Sequence, residues 1–107
     1  MSQKADKVKE IIRELAAQFF SRESNRTSMI TVTDVDLLSR GGRAVILITV
    51  LPESEEEAAL GFAHRQLTDF KAFVEVNSRI ARIPFFEVEI DKGEKNRQRL
   101  DEIAKRI

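Results

Sequence analysis

Residues 29–51, MITVTDVDLLSRGGRAVILITVL, decide the fold. Both halves are rich in β-branched and apolar residues, and Gly41–Gly42 supplies a turn between them, so the stretch reads as a β-hairpin. The first half changes phase. Ile30 and Val32 share one face, Asp34 and Asp36 continue that face, and Val35 and Leu37 fall opposite. A bulge near Thr33–Asp34, or an exit from the core there, accounts for the slip. The second half, RAVILITVL, is apolar on both parities. Ala44, Ile46, Ile48 and Val50 form one row, and Val45, Leu47 and Leu51 the other. That pattern suits a central strand. If helices cover one face only, the second row must meet something else.

Upstream, Val8, Ile11, Ile12, Leu15, Ala16 and Phe19 repeat at the helical period and predict an amphipathic helix over 8–20. The polar stretch SRESNRTS then reads as a loop. Downstream, Pro52 stops the second strand. Ser54 with Glu57 three residues later forms a capping-box pattern, and the acids at 53–57 suit a helix N-terminus. The following apolar pattern, from Ala59 to Val74, predicts a helix from 54 to about 79, with a bend or break near 69–73. Ile83–Pro84 ends the helical region, because a residue before proline avoids the α basin. FFEVEI at 85–90 alternates as a third strand, with Phe86, Val88 and Ile90 inward and Glu87 and Glu89 outward. All seven phenylalanines are assigned to the core, Phe85 last among them. Leu100, Ile103, Ala104 and Ile107 mark a short final helix.

The order α-β-β-α(kinked)-β-α gives an α+β domain: a three-stranded mixed sheet with helices packed on one face. One domain is expected over 1–107, with 1–5 as a flexible N-terminus. A double-stranded-RNA-binding domain needs three consecutive strands between its helices. A ferredoxin-like fold needs a strand before the first helix. The sequence supplies neither.

Apolar residues make up 42% of the 107, enough for a core, and the charged 34% are split evenly between 18 cations and 18 acids. Neutrality excludes a wholesale basic coat, so any anion site is a local patch. With no cysteine and one histidine, disulfides, thiolate sites and multi-histidine metal sites are excluded. The longest apolar run, AVILITVL at 44–51, is too short for a membrane span, and the start carries acids and lacks an apolar core. A cytoplasmic protein without a cofactor is expected.

Little in the sequence supports an enzyme. His64 lies mid-helix beside Arg65 with no nucleophile elbow, and reads as a solvated side chain. Asp34 and Asp36 share one side of a strand. They suit either a magnesium site or a solvated strand end that discourages edge pairing. Glu87, Glu89 and Asp91 line a wet face. Gly41–Gly42 lacks phosphate-loop spacing. Charge is unevenly placed: 53–70 carries five acids and one arginine, whereas 1–27 and 93–107 each carry a net +2. Arg40 and Arg43 bracket the hairpin turn. Lys71, Arg79 and Arg82 bracket the expected helix break and its exit, and Arg22 and Arg26 follow the first helix. Brought together, these cations make a phosphate-binding patch; scattered, they only solubilise the surface.

The stretches KVKEIIRELAAQFF, ITVTDVDLLSRGGRAVILITVLPESEEE and IPFFEVEIDKG, with the tail RQRLDEIAKRI, together resemble the ribosome-binding factor A family, in order and spacing, over most of 6–107. The resemblance implies a type II KH-like fold and binding to the small (30S) ribosomal subunit through 16S rRNA during late maturation. It also implies a kinked helix in place of the GxxG phosphate clamp. Here the corresponding stretch reads Phe70-Lys71-Ala72, without the family's kink glycine, and Glu75 stands where a basic residue is expected. Val45 and Leu47 replace a lysine and a tyrosine, and the turn SRGGRA is one residue shorter.

The expectation is therefore a non-catalytic assembly factor, a monomer with no membrane or small-molecule partner. It would contact rRNA through Arg40, Arg43, Lys71, Arg79 and Arg82, with Arg22 and Arg26 secondary. The alternatives are a protein-interaction or homodimer module built on Val45, Leu47 and Leu51, and, more remotely, magnesium chemistry at Asp34 and Asp36.

Overall fold

A computed structural model describes residues 2–23, 28–94 and 97, with side chains placed for 6–21, 28–94 and 97. The hairpin forms as its pattern requires. Strand β1 (Met29–Leu38) pairs antiparallel with β2 (Arg43–Leu51). The pairing passes from Val32↔Ile48 to Asp34↔Leu47, so Thr33 is an extra residue and the bulge is real. One unpaired residue restores the phase: Ile30 and Val35 are buried, and Val32 and Leu37 pack against the core from the same face.

Helix α1 (Ser2–Glu23) runs longer than the apolar stripe that predicts it. Ile12, Leu15, Ala16 and Phe19 are buried as expected. Ile11 sits at the edge and stays partly exposed, while Phe20, outside the expected stripe, is fully buried.

After β2 the chain departs from expectation. Glu53–Glu55 forms a single 3-10 turn, closed by the Glu55 N–H donating to the Pro52 carbonyl at 3.0 Å. Helix α2 (Glu56–Arg65) starts only after it. The capping box at Ser54 and Glu57 is not made: the turn moves the N-cap to Glu55, which makes no side-chain cap bond. The break expected near 69–73 falls instead at Gln66, between α2 and α3 (Leu67–Asn77). Gln66 takes φ −89, ψ −2, and its N–H is shared by the carbonyls of Phe62 and Ala63, both at 3.1 Å. Helix α3 ends at Asn77, where the Ser78 hydroxyl donates to the Val74 carbonyl and the Asn77 amide to the Phe73 carbonyl. Residues 78–84 then carry the chain back to the start of β3 (Phe85–Ile90), which pairs parallel with β2.

The sheet order is β1-β2-β3. Helix α1 lies over β1 and against α3, and α2 lies over β2 and β3. One core face results: Ile30, Val35, Ala44, Ile46, Ile48, Val50, Phe86 and Val88 from the sheet meet the buried residues of the three helices. Phe70 is its hub, with ring centroids 4.8 Å from Phe86, 5.4 Å from Phe19 and 5.5 Å from Phe20. Phe85 is a correction. It is 69% exposed, because it shares the parity of Glu87 and Glu89 on the other face. The final helix expected from Leu100, Ile103, Ala104 and Ile107 lies outside the described residues.

Candidate nucleic-acid interface

The turn between β1 and β2 is tight and left-handed. Ser39 (φ 53), Arg40 (φ 55) and Gly41 (φ 85) all take positive φ, and the Gly42 N–H donates to the Ser39 carbonyl at 3.0 Å. Only Gly41 adopts this conformation without steric cost. Arg40 is held in it at the tip, exposed.

Parallel pairing of β2 with β3 brings the third strand's start to this same turn. The Phe85 N–H donates to the Gly42 carbonyl at 2.9 Å, and Arg43 pairs with Phe85. Arg82, three residues upstream, lies against the turn: a Cβ added at Gly42 would stand 3.1 Å from its Nη2. Arg40, Arg43 and Arg82 are thus gathered at one end of the sheet, with the exposed ring of Phe85 beside Arg43. Arg79 is exposed on the same connection. Arg43 is partly committed, since its Nε and Nη2 bond the Glu87 carboxylate at 2.7 and 2.6 Å.

One expected contact stands apart from the turn. Lys71 is exposed within α3, displaced from the break at Gln66 that its expected role requires. Arg22 lies in the last turn of α1 with its side chain outside the described set, and Arg26 lies outside the described residues. Phe85 joins the candidate site on its exposure alone; the sequence reading does not pick it out, although its parity in FFEVEI carries the signal.

His64 is exposed on α2. Asp34 pairs with Lys9 at 3.5 Å and accepts the Val35 N–H at 2.8 Å. Among the described residues, no group of three or more acidic, histidine or cysteine side chains is arranged to hold a metal. Among the same residues, no helix is long and apolar enough to cross a membrane. The Asp91 carboxyl lies below its ordinary range, first because the Thr33 hydroxyl donates to it at 2.5 Å, then because it accepts the Glu94 N–H. The gathered cations can hold phosphates by charge-assisted bonds, and an exposed ring beside them can stack on an unpaired base.

An α-β-β-α-α-β chain with paired helices on one face of a mixed sheet is a type II KH-like α+β domain. The crystal structure of ribosome-binding factor A from Thermus thermophilus has this fold. It superposes with a TM-score of 0.70 at 20% identity, covering 79% of this chain and 92% of that one. The solution structure of a Thermotoga maritima protein, described as a candidate ribosome-binding factor A, gives a TM-score of 0.56 at 18% identity, covering 82% and 83%. No protein-family model and no curated protein matches the sequence.

Proposed function

We propose that this chain is a ribosome-binding factor A and acts as a non-catalytic assembly factor. It binds folded 16S rRNA of the small (30S) subunit during late maturation and rRNA processing in the cytoplasm. The fold supports this reading, and one observation carries it. Arg40, Arg43 and Arg82, distant in sequence, meet around one turn with an exposed Phe85. In a chain of zero net charge such convergence makes a local anion site. Phosphate contacts position the protein, and the ring favours an unpaired base, so recognition is by RNA shape more than by sequence. Arg79 extends the patch, Arg22 and Arg26 are secondary contacts, and Lys71, within α3, lies outside it. Binding energy alone is the mechanism: the factor favours one rRNA conformation and leaves when another forms.

The dimer reading rests on Val45, Leu47 and Leu51. Val45 is already 5% exposed within one chain and Leu51 alone of the three is open, so we propose a monomer. Co-sedimentation with small-subunit precursors tests the partner, and salt dependence tests the patch. Three to four phosphate contacts give a log–log slope of about −2 to −3 on single-stranded rRNA segments. A slope near zero, or no binding at low salt, overturns the proposal.

A further inference from the structure

The cations gathered at the turn are not equivalent. Arg40, Arg79 and Arg82 pair with no carboxylate among the described residues. Arg43 does. Its Nε donates to Glu87 Oε2 at 2.7 Å, and its Nη2 stands 2.6 Å from the same oxygen. An edge of the guanidinium built from two such N–H groups is what grips a phosphate with parallel bonds. Here a carboxylate already holds it.

The strands put Glu87 in that place. Parallel pairing sets Arg43 opposite Phe85 and Val45 opposite Glu87, so Glu87 is the diagonal neighbour of Arg43 on the face that carries Phe85. Diagonal neighbours stand roughly 7–8 Å apart, within reach of two long side chains. Val45 shares this face and is 5% exposed, although it lies outside the core cluster. A bridge laid along the sheet beside it, with the aliphatic stem of Arg43, accounts for that cover. Glu87 lies further from the turn than Phe85 does, so the bond draws the guanidinium along the sheet and away from the tip where Arg40 stands.

The two side chains are 46% and 28% exposed, and a pair so open to water adds little to folding stability. Its consequence lies in the patch instead. A cation matched by an acid at contact distance offers little charge to an incoming phosphate.

Given the RNA-binding role proposed above, we propose that Glu87 limits RNA affinity by holding Arg43 in reserve. Its carboxylate takes the guanidinium edge that would otherwise grip a phosphate. Arg40, Arg79 and Arg82 then carry the contacts to a flexible single strand. A factor that works by leaving its rRNA gains from this restraint, because one contact fewer means faster dissociation.

Filter binding of a single-stranded rRNA segment between 50 and 200 mM salt tests this. Three phosphate contacts give a log–log slope of about −2.1, and freeing Arg43 by Glu87→Gln should steepen it to about −2.8. With the added gain nil at about 1 M salt, affinity should rise about eightfold at 50 mM and about threefold at 200 mM. Glu87→Ser frees the same guanidinium and should give the same steepening, which guards against a misfolded glutamine variant. In an Arg43→Gln background, Glu87→Gln should leave the slope unchanged, because no guanidinium remains to be released. An unchanged slope in the natural background overturns the proposal, since Arg43 is then already on the RNA. Weaker binding overturns it too, by making Glu87 a prop that aims Arg43 at the RNA. Equal steepening in both backgrounds does the same, by making Glu87 a diffuse negative charge. Arg82→Gln keeps these failures apart from failure of the RNA role itself. If it weakens binding while Glu87→Gln changes nothing, only the restraint by Glu87 falls. If the natural protein does not bind RNA even at 50 mM salt, both fall.

Discussion

Arg40 sits at φ 55, ψ 40, where a non-glycine residue costs about 1 kcal/mol. Its exposure offers no packing in return. Arg40→Gly is therefore expected to leave stability unchanged or raise it by up to about 1 kcal/mol, as read from a urea midpoint, while weakening RNA binding. A loss of stability would mean that the guanidinium has a structural role. Gly41–Gly42 made the turn legible in the sequence. The left-handed Ser39 and Arg40 were not legible, because neither residue type announces that conformation. Thr33 carries a second test. Its bond holds the Asp91 carboxyl below the ordinary value of about 3.9, so the stabilisation is fully present above about pH 4 and is lost as pH falls through the folded value. Thr33→Val should lower the midpoint at pH 7, and the gap from the natural protein should narrow as pH falls from about 4 through the folded value. A gap that is constant across that window would assign the loss to packing at the bulge.

At the scale of elements, the bulge is a single surplus residue. Remove Thr33 and the sequence runs Ile30, Thr31, Val32, Asp34, Val35, Asp36, Leu37, which alternates without interruption and keeps every apolar residue on the core face. Deletion of Thr33 should therefore fold with the same core and a continuous ladder, losing chiefly the Asp91 anchor. Amide exchange of β1 and β2 checks it: protection of Ile46 and Ile48 should persist. Collapse of that protection would mean that the bulge itself shapes the sheet twist. The phase slip of Ile30/Val32 against Val35/Leu37 exposed this bulge in the sequence. The break at Gln66 left no such trace. Ala59, Ala63, Phe70 and Val74 are spaced four, seven and four residues apart, which an unbroken helix also satisfies. Gly61 marks no break either, since α2 runs through it. Position 66 is therefore a tertiary outcome, as two short helices each turn an apolar face to one sheet.

Across the whole molecule the charges separate along β2. The arginine turn lies at its Arg43 end, and the acidic start of α2 follows its Leu51 end. Nine residues of strand put these groups about 27 Å apart, roughly three Debye lengths at physiological salt. The sequence alone brings two of these cations together, because the hairpin fixes Arg40 and Arg43 at one place. It could not say that Arg82 joins them and Lys71 does not. That depends on parallel pairing returning the chain to the hairpin end, and on where the helix breaks. Local placement then predicts a result that net charge does not. Arg82→Gln removes one contact and should make the salt slope shallower by about 0.7 on single-stranded RNA, with weaker binding at every salt concentration. Glu57→Gln changes the net charge by the same magnitude, in the direction that would favour RNA if total charge governed binding. Glu57 is exposed in the first turn of α2, three screening lengths from the patch, so its affinity and slope should match the natural protein. Filter binding between 50 and 200 mM salt distinguishes the two cases. If Glu57→Gln strengthens binding as much as Arg82→Gln weakens it, the arginine turn is not where the RNA lies.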